Sequence, residues 1–227
     1  MSFQKKIEHF ILKYLAVPKT PKYLEGKRHI ACIGDSITFG AGVNGKKEET
    51  WEHFLNHRLG DDFQVLNYGI SGRTLQDEGD YPYKADKFYA ISKSHPIDTY
   101  LIMLGTNDAK PYNWNEQRYR GQFRRFLNEY KQLPWHPQVI VMTPPHCFID
   151  KKSGIVLFDI DERNIDGPIQ EIVKDECKTA SLKLIDLYAY TTDKEDWFAD
   201  GVHPNKKGNE EIAAYIFRQL EIFHSTI

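Results

Sequence analysis

Residues 29–34 read HIACIG, and the chain continues through Asp35-Ser36-Ile37-Thr38. Four apolar residues in succession, closed by a glycine, predict a strand buried on both faces, as in a parallel sheet. Working outward, the same texture returns in FQVLNYG (63–69), TYLIML (99–104), QVIVMT (138–143) and LKLIDL (182–187). Between these runs the period changes to that of a helix. In 115–133 the apolar positions are Tyr119, Phe123, Phe126, Leu127, Tyr130 and Leu133, and near the end they are Ile212, Ala213, Ile216, Phe217, Leu220 and Phe223. Both sets follow i, i+3/i+4, i+7/i+8 spacing. Helices also fit 50–59, 82–94 and 164–180. Strand–helix alternation, repeated about five times, predicts an α/β fold with a doubly wound, five-stranded parallel sheet. No linker, repeat or low-complexity stretch is evident, so one domain is expected over 1–227.

The composition fits that reading. Hydrophobic residues make up 41% of the 227, charged residues 27% and aromatics 13%, the profile of a globular protein. Thirty basic and thirty-two acidic side chains leave a formal charge of -2, which gives no global attraction to nucleic acid or an anionic membrane. No eighteen apolar residues run together, so no membrane span is expected. The first fifteen residues, MSFQKKIEHFILKYL, space Ile7, Phe10, Ile11, Tyr14 and Leu15 along one helical face, without a signal-like apolar core. A helix docked on the domain is expected there. Cys32, Cys147 and Cys177 are odd in number and lack CxxC spacing, which fits a reducing, cytoplasmic location. The oligomeric state has no signature in the sequence.

Open α/β sheets bind ligands beyond the carboxyl ends of their strands. The first strand is followed by Ser36 on a strand-to-helix turn, the second by Ile70-Ser71-Gly72-Arg73, and the third by Gly105-Thr106-Asn107-Asp108. Asp200-Gly201-Val202-His203-Pro204 follows the fifth, before the last helix. Acyl transfer needs a nucleophile, a base, a group that orients the base, and donors for the oxyanion. Ser36 fits the nucleophile, His203 the base and Asp200 its orienting carboxylate. The Ser36 N–H, the Gly72 N–H and the Asn107 amide fit the donors. Pro204 suits the start of a helix. Asp35 and Asp108 fit loop-bracing roles. Arg73, Lys110 and Trp114 flank the site as candidate substrate contacts. The 144–163 connection is long enough to form part of a substrate rim or a hairpin.

GDSIT (34–38) resembles the nucleophile block of the SGNH hydrolases, the GDSL-type lipases, acylhydrolases and esterases. ISG (70–72), GTND (105–108) and DGVHP (200–204) resemble that family's other three blocks, in the same order. The resemblance implies a flavodoxin-like α/β/α sandwich, a Ser36–His203–Asp200 triad, an oxyanion hole from Ser36, Gly72 and Asn107, and no cofactor or metal. Its expected partner is a small-molecule ester. The rim segments 110–114 and 146–150 mix aromatic with polar residues and favour short acyl esters of carbohydrates. A lysophospholipase or thioesterase for longer chains, and a non-catalytic carbohydrate binder, are the alternatives.

Three other patterns invite different chemistry. Gly40-Ala41-Gly42-Val43-Asn44-Gly45 spells GxGxxG but starts six residues beyond the strand, so it is read as a flexible loop and not a dinucleotide site. His53 and His57 have metal-ligand spacing but no third ligand. Arg118, Arg120, Arg124 and Arg125 interleave with aromatics assigned to a buried helix face, which leaves the arginines as a solvated side.

Overall fold

In a computed structural model, which describes residues 18–43 and 46–224, five parallel strands form one sheet. They are β1 (Arg28–Gly34), β2 (Phe63–Gly69), β3 (Thr99–Met103), β4 (Gln138–Met142) and β5 (Lys183–Ile185). The order is β2-β1-β3-β4-β5, every neighbouring pair is parallel, and Gly34 sits opposite both Gly69 and Met103. The helix expected over 1–15 lies outside the described residues.

Strand side chains alternate between two faces, and both faces are apolar. Ala31, Ile33, Tyr100, Ile102, Val139 and Val141 pack to one side, against Tyr119, Phe123, Phe126 and Tyr130 of α4 (Glu116–Lys131) and Ile172 and Val173 of α5 (Gln170–Ala180). Cys32, Leu101, Met103 and Ile140 pack to the other, against Trp51 and Leu55 of α2 (Trp51–Leu59) and Ile212, Ala213 and Ile216 of α7 (Lys206–His224). The result is a three-layer α/β/α sandwich. Each large side chain so buried contributes about 1.5–3 kcal/mol of transfer free energy.

Several expected boundaries are shorter than predicted, because polar side chains intervene. The helix expected over 82–94 is a 3₁₀ turn, Tyr83–Ala85, followed by the short helix Lys87–Ile91. Asp86 separates them and caps the second by accepting from the Phe88 N–H. The fifth strand stops at Ile185 because Asp186 accepts from the Ala189 N–H and starts the helix Leu187–Thr191. Over 164–180 a π-helical turn, Ile165–Ile169, precedes α5; it contains Pro168, which has no N–H to give. The last helix begins at Lys206, not at Pro204, which instead bridges to Phe198 while Asn205 accepts from the Gly208 N–H.

Candidate active site

The carboxyl ends of β1, β2 and β3 open onto one rim. Ser36 begins α1 (Ser36–Phe39), a four-residue helix that Asp35 caps by accepting from the Ile37 N–H at 3.0 Å and that Gly40 ends at φ 91°. The turn packs the next residues closely onto the Asp-x-x-His segment. A Cβ at Gly42 would collide with the Pro204 carbonyl, so 40–43 is a fitted turn and not a flexible loop. Residues 44–45, the end of the GxGxxG pattern, lie outside the described residues.

Asp200 organises its own segment. One carboxylate oxygen accepts from the Val202 and His203 N–H groups at 2.9 and 2.7 Å; the other lies 2.7 Å from His203 Nδ1. His203 Nε2 lies 2.8 Å from Ser36 Oγ. The sequence separates Ser36 from His203 by 167 positions, and the sheet brings them into one hydrogen-bonded line. Half-burial pushes the Asp200 carboxyl up, but the hydrogen bond and charge of His203 and the two N–H groups outweigh it. The net effect holds it below the usual carboxylate range. It remains an anion next to the imidazole.

Gly72 lies in the left-handed region at φ 80°, where a glycine avoids the strain that a side chain would bring. The Asn107 amide donates to the Arg73 carbonyl at 3.2 Å, which ties the second and third strand-end loops together. Asp108 ties them again: its carboxylate accepts from the Leu75 and Gln76 N–H groups at 2.8 and 2.9 Å. Burial pushes Asp108 up to about 6, against those two N–H groups and with the Asp35 charge adding to the rise. Asp35 is likewise pushed up to about 6 by burial, against the Ile37 N–H and nearby His203.

These residues line a cleft of about 160 Å³, which includes Ser36, Gly72, Asn107 and His203. Ala41, Phe158, Ile160 and Val202 also line it, as do Ser71 and Thr106, and no sequence pattern singled these out as lining residues. Phe158 lies edge-on to the His203 ring, with centroids 5.0 Å apart. The 144–163 connection therefore supplies part of the rim, and Asp150 and Ile155 pair within it as a small antiparallel bridge.

Of the flanking candidates, Lys110 lines the cleft and sits 3.7 Å from Asp80. Arg73 is buried, donating to Asp86 at 2.7 Å and to the Ser71 carbonyl at 2.9 Å, so it braces the loop. Trp114 is not a lining residue of the cleft; it packs against Tyr119 at 5.4 Å and joins the core. His146, from the other expected rim segment, stacks on Tyr188. Among the described residues, no group of three or more His, Cys, Asp or Glu could hold a metal ion. Arg120 and Arg124 pair with Asp175 and Glu176 of α5. No helix among the described residues is long and apolar enough to cross a membrane.

Known proteins resemble this chain in sequence and in fold. The chain is 32% identical to an acetylxylan esterase of Xylanibacter ruminicola across 90% of its own length, but spans only 44% of that relative. It is 26% identical to the probable rhamnogalacturonan acetylesterase YesY of Bacillus subtilis, covering 85% of this chain and 92% of that one. Its fold matches an aryl esterase of M. smegmatis with a TM-score of 0.71 at 22% identity, over 86% of this chain and 98% of that one. It also matches a carbohydrate acetylesterase from Sinorhizobium meliloti with a TM-score of 0.69 at 20% identity, over 87% of this chain and all of that one. The model of the GDSL-like lipase/acylhydrolase family matches residues 30–216, a span that holds Ser36, Gly72, Asn107, Asp200 and His203, and the chain belongs to that family.

Proposed function

We propose that the chain hydrolyses carboxylic esters through an acyl-Ser36 intermediate, and that it removes short acyl groups, acetyl foremost, from carbohydrates or similar small alcohols. The observation that carries this reading is the line from Ser36 Oγ through His203 to Asp200, with links of 2.8 and 2.7 Å. With its Nδ1 proton donated to Asp200, the imidazole presents Nε2 as acceptor to the Ser36 hydroxyl. Ser36 Oγ attacks the ester carbonyl carbon as its proton passes to Nε2. The Ser36 and Gly72 N–H groups and the Asn107 amide receive the oxyanion. Collapse breaks the bond to the alcohol, which leaves with the proton from Nε2. Water then repeats the two steps on the acyl-serine, which releases the acid and restores Ser36. No metal or organic cofactor takes part.

The small cleft supports a short acyl group, and the names of the two acetylesterase relatives support a carbohydrate alcohol. Three buried, free thiols support a reducing, cytoplasmic setting. We read the whole chain as one domain. The test is kcat/KM for p-nitrophenyl esters from acetate to decanoate. A decline beyond butyrate is expected, a maximum at octanoate or longer would favour a lysophospholipase or thioesterase, and no turnover at all would favour a carbohydrate binder.

A further inference from the structure

Residues 157–160 make a turn that one of its own residues does not favour. The Ile160 N–H donates to the Leu157 carbonyl at 3.5 Å, and the two residues between, Phe158 and Asp159, both have positive φ, 65° and 59°. Two successive positive φ values are the signature of a type I′ turn, which glycine, asparagine and aspartate supply and bulky side chains avoid. Asp159 suits its place; Phe158 does not. The turn is nevertheless tied down at both ends. Before it, Asp150 and Ile155 pair as a bridge and Val156 is buried. After it, Ile160 is buried, and the Asp161 N–H and the Asn164 amide donate to the Ala109 carbonyl at 3.4 and 3.0 Å. Val156 and Ile160 both join the core, and the Phe158 ring between them reaches the cleft.

Phe158 is 48% exposed, lines the Ser36 cleft and lies edge-on to the His203 imidazole, with centroids 5.0 Å apart. A half-exposed ring leaves much of its apolar surface in water, and strained backbone of this kind gathers at ligand contacts. Catalysis decides which part of an ester the ring meets. The departing alcohol takes its proton from His203 Nε2, so its oxygen comes within hydrogen-bond reach of that nitrogen. A cleft residue packed against the imidazole therefore borders the alcohol, and the carbon skeleton that carries this oxygen passes beside Phe158.

We propose, resting on the ester-hydrolase reading, that Phe158 is the specificity-determining platform for the leaving alcohol and selects acetate esters of pyranoses over those of open-chain polyols. The two alcohols offer similar hydroxyls and differ in shape. A pyranose gathers axial C–H bonds on a flat apolar face, whose weakly positive hydrogens meet the negative face of an aromatic ring. An open-chain polyol has no fixed face and loses more internal freedom on binding. Ile160 and Val202, both buried, add apolar wall to the same cleft.

The experiment compares kcat/KM, followed by acetate release, for a methyl xylopyranoside monoacetate and for glycerol monoacetate. The wild-type chain should prefer the pyranoside ester at least fivefold. Phe158→Gly should lower that preference by about fivefold, through KM, which is the scale of one aromatic contact; Phe158→Tyr should retain it. Glycine suits the positive φ, so the Tm of Phe158→Gly should stay near the wild-type value. A wild-type chain indifferent to the alcohol, or a preference unmoved in Phe158→Gly, would overturn the proposal. So would an equal fall in kcat for both esters, the mark of a ring that only steadies His203. A gain in p-nitrophenyl octanoate over acetate turnover in Phe158→Gly, with the alcohol preference intact, would make Phe158 a wall of the acyl site and overturn it too. If the wild-type chain turns over no ester, the hydrolase reading falls, and saturation-transfer NMR with the intact pyranoside ester decides the platform. Ring-proton saturation that Phe158→Gly removes supports it; no saturation in the wild-type chain, or saturation that persists in the variant, overturns it.

Discussion

The cleft at Ser36 encloses about 160 Å³, whereas a groove beside the edge strand β2, roofed by residues 18–27, encloses about 570 Å³. The larger hollow has charge in abundance, from Lys19, Lys27, Lys47 and Asp61, and a histidine, His53, that lies edge-on to Phe54. It also has a buried acid, Glu52, neither of whose oxygens makes a hydrogen bond. The smaller hollow differs in how its groups are held. Around it the carboxylates are each committed to a partner. Asp200 grips His203, Asp108 grips the Gly72 loop, and Asp35 caps the Ser36 helix. Volume does not distinguish a reactive site from a crevice. Convergence of fixed partners at the carboxyl ends of the strands does.

Removing the centre of that convergence should break the comparison most. Ser36→Ala should lower kcat for p-nitrophenyl acetate by about 10⁴–10⁶ while circular dichroism and Tm stay near those of the wild-type chain. A loss below tenfold would mean that the cleft is as inert as the groove.

Asn107→Ala comes next. An oxyanion donor acts on charge that develops in the transition state, so kcat should fall by about 10²–10³ with little change in KM. Steady-state kinetics on p-nitrophenyl acetate separate the two parameters. A change confined to KM would make Asn107 a binding residue.

The smallest effect on catalysis is expected in the other hollow. Glu52→Gln should leave kcat/KM within about twofold but change how stability responds to pH. Burial pushes Glu52 up to about 8 from an ordinary 4.5, against its own N–H and the Thr50 hydroxyl, which lie close without completing a hydrogen bond to it; the hydroxyl donates to the Lys47 carbonyl instead. A carboxyl raised in the folded state favours folding when protonated. That contribution is whole below about 4.5 and fades as pH rises through about 8. The wild-type Tm should therefore fall across that window relative to the variant, by an amount reflecting a few kcal/mol. A Tm difference independent of pH would contradict the unpaired acid.

The sheet and the Ser36–His203–Asp200 line were legible because each rests on local signals. Continuous apolar runs such as 30–33 are what two covered faces require, and glycines and short polar motifs mark the strand ends. Trp114 misleads for the opposite reason. Its neighbours in sequence look like a rim, but a half-buried contact with Tyr119 decides its place. Phe158 and Ile160 lie in the 144–163 connection, whose length pointed to a rim, but nothing in the sequence singled out these two residues within it. They reach the cleft through a left-handed turn that neither glycine nor asparagine announces, held by tertiary contacts from Val156 and Ala109. The shortened helix at Lys87–Ile91 has a similar origin, since Asp86 serves both as its cap and as the partner of Arg73.

The most direct measurement is covalent labelling with a fluorophosphonate, followed by peptide mass mapping. The reagent needs an activated serine hydroxyl beside an oxyanion site, and two serines line the cleft, Ser36 and Ser71. One adduct on the peptide that holds Ser36 is expected, slowed by p-nitrophenyl acetate and abolished in His203→Ala. An adduct on Ser71, or labelling of Ser36 that survives loss of His203, would contradict the assignment of Ser36 as the nucleophile activated by that histidine.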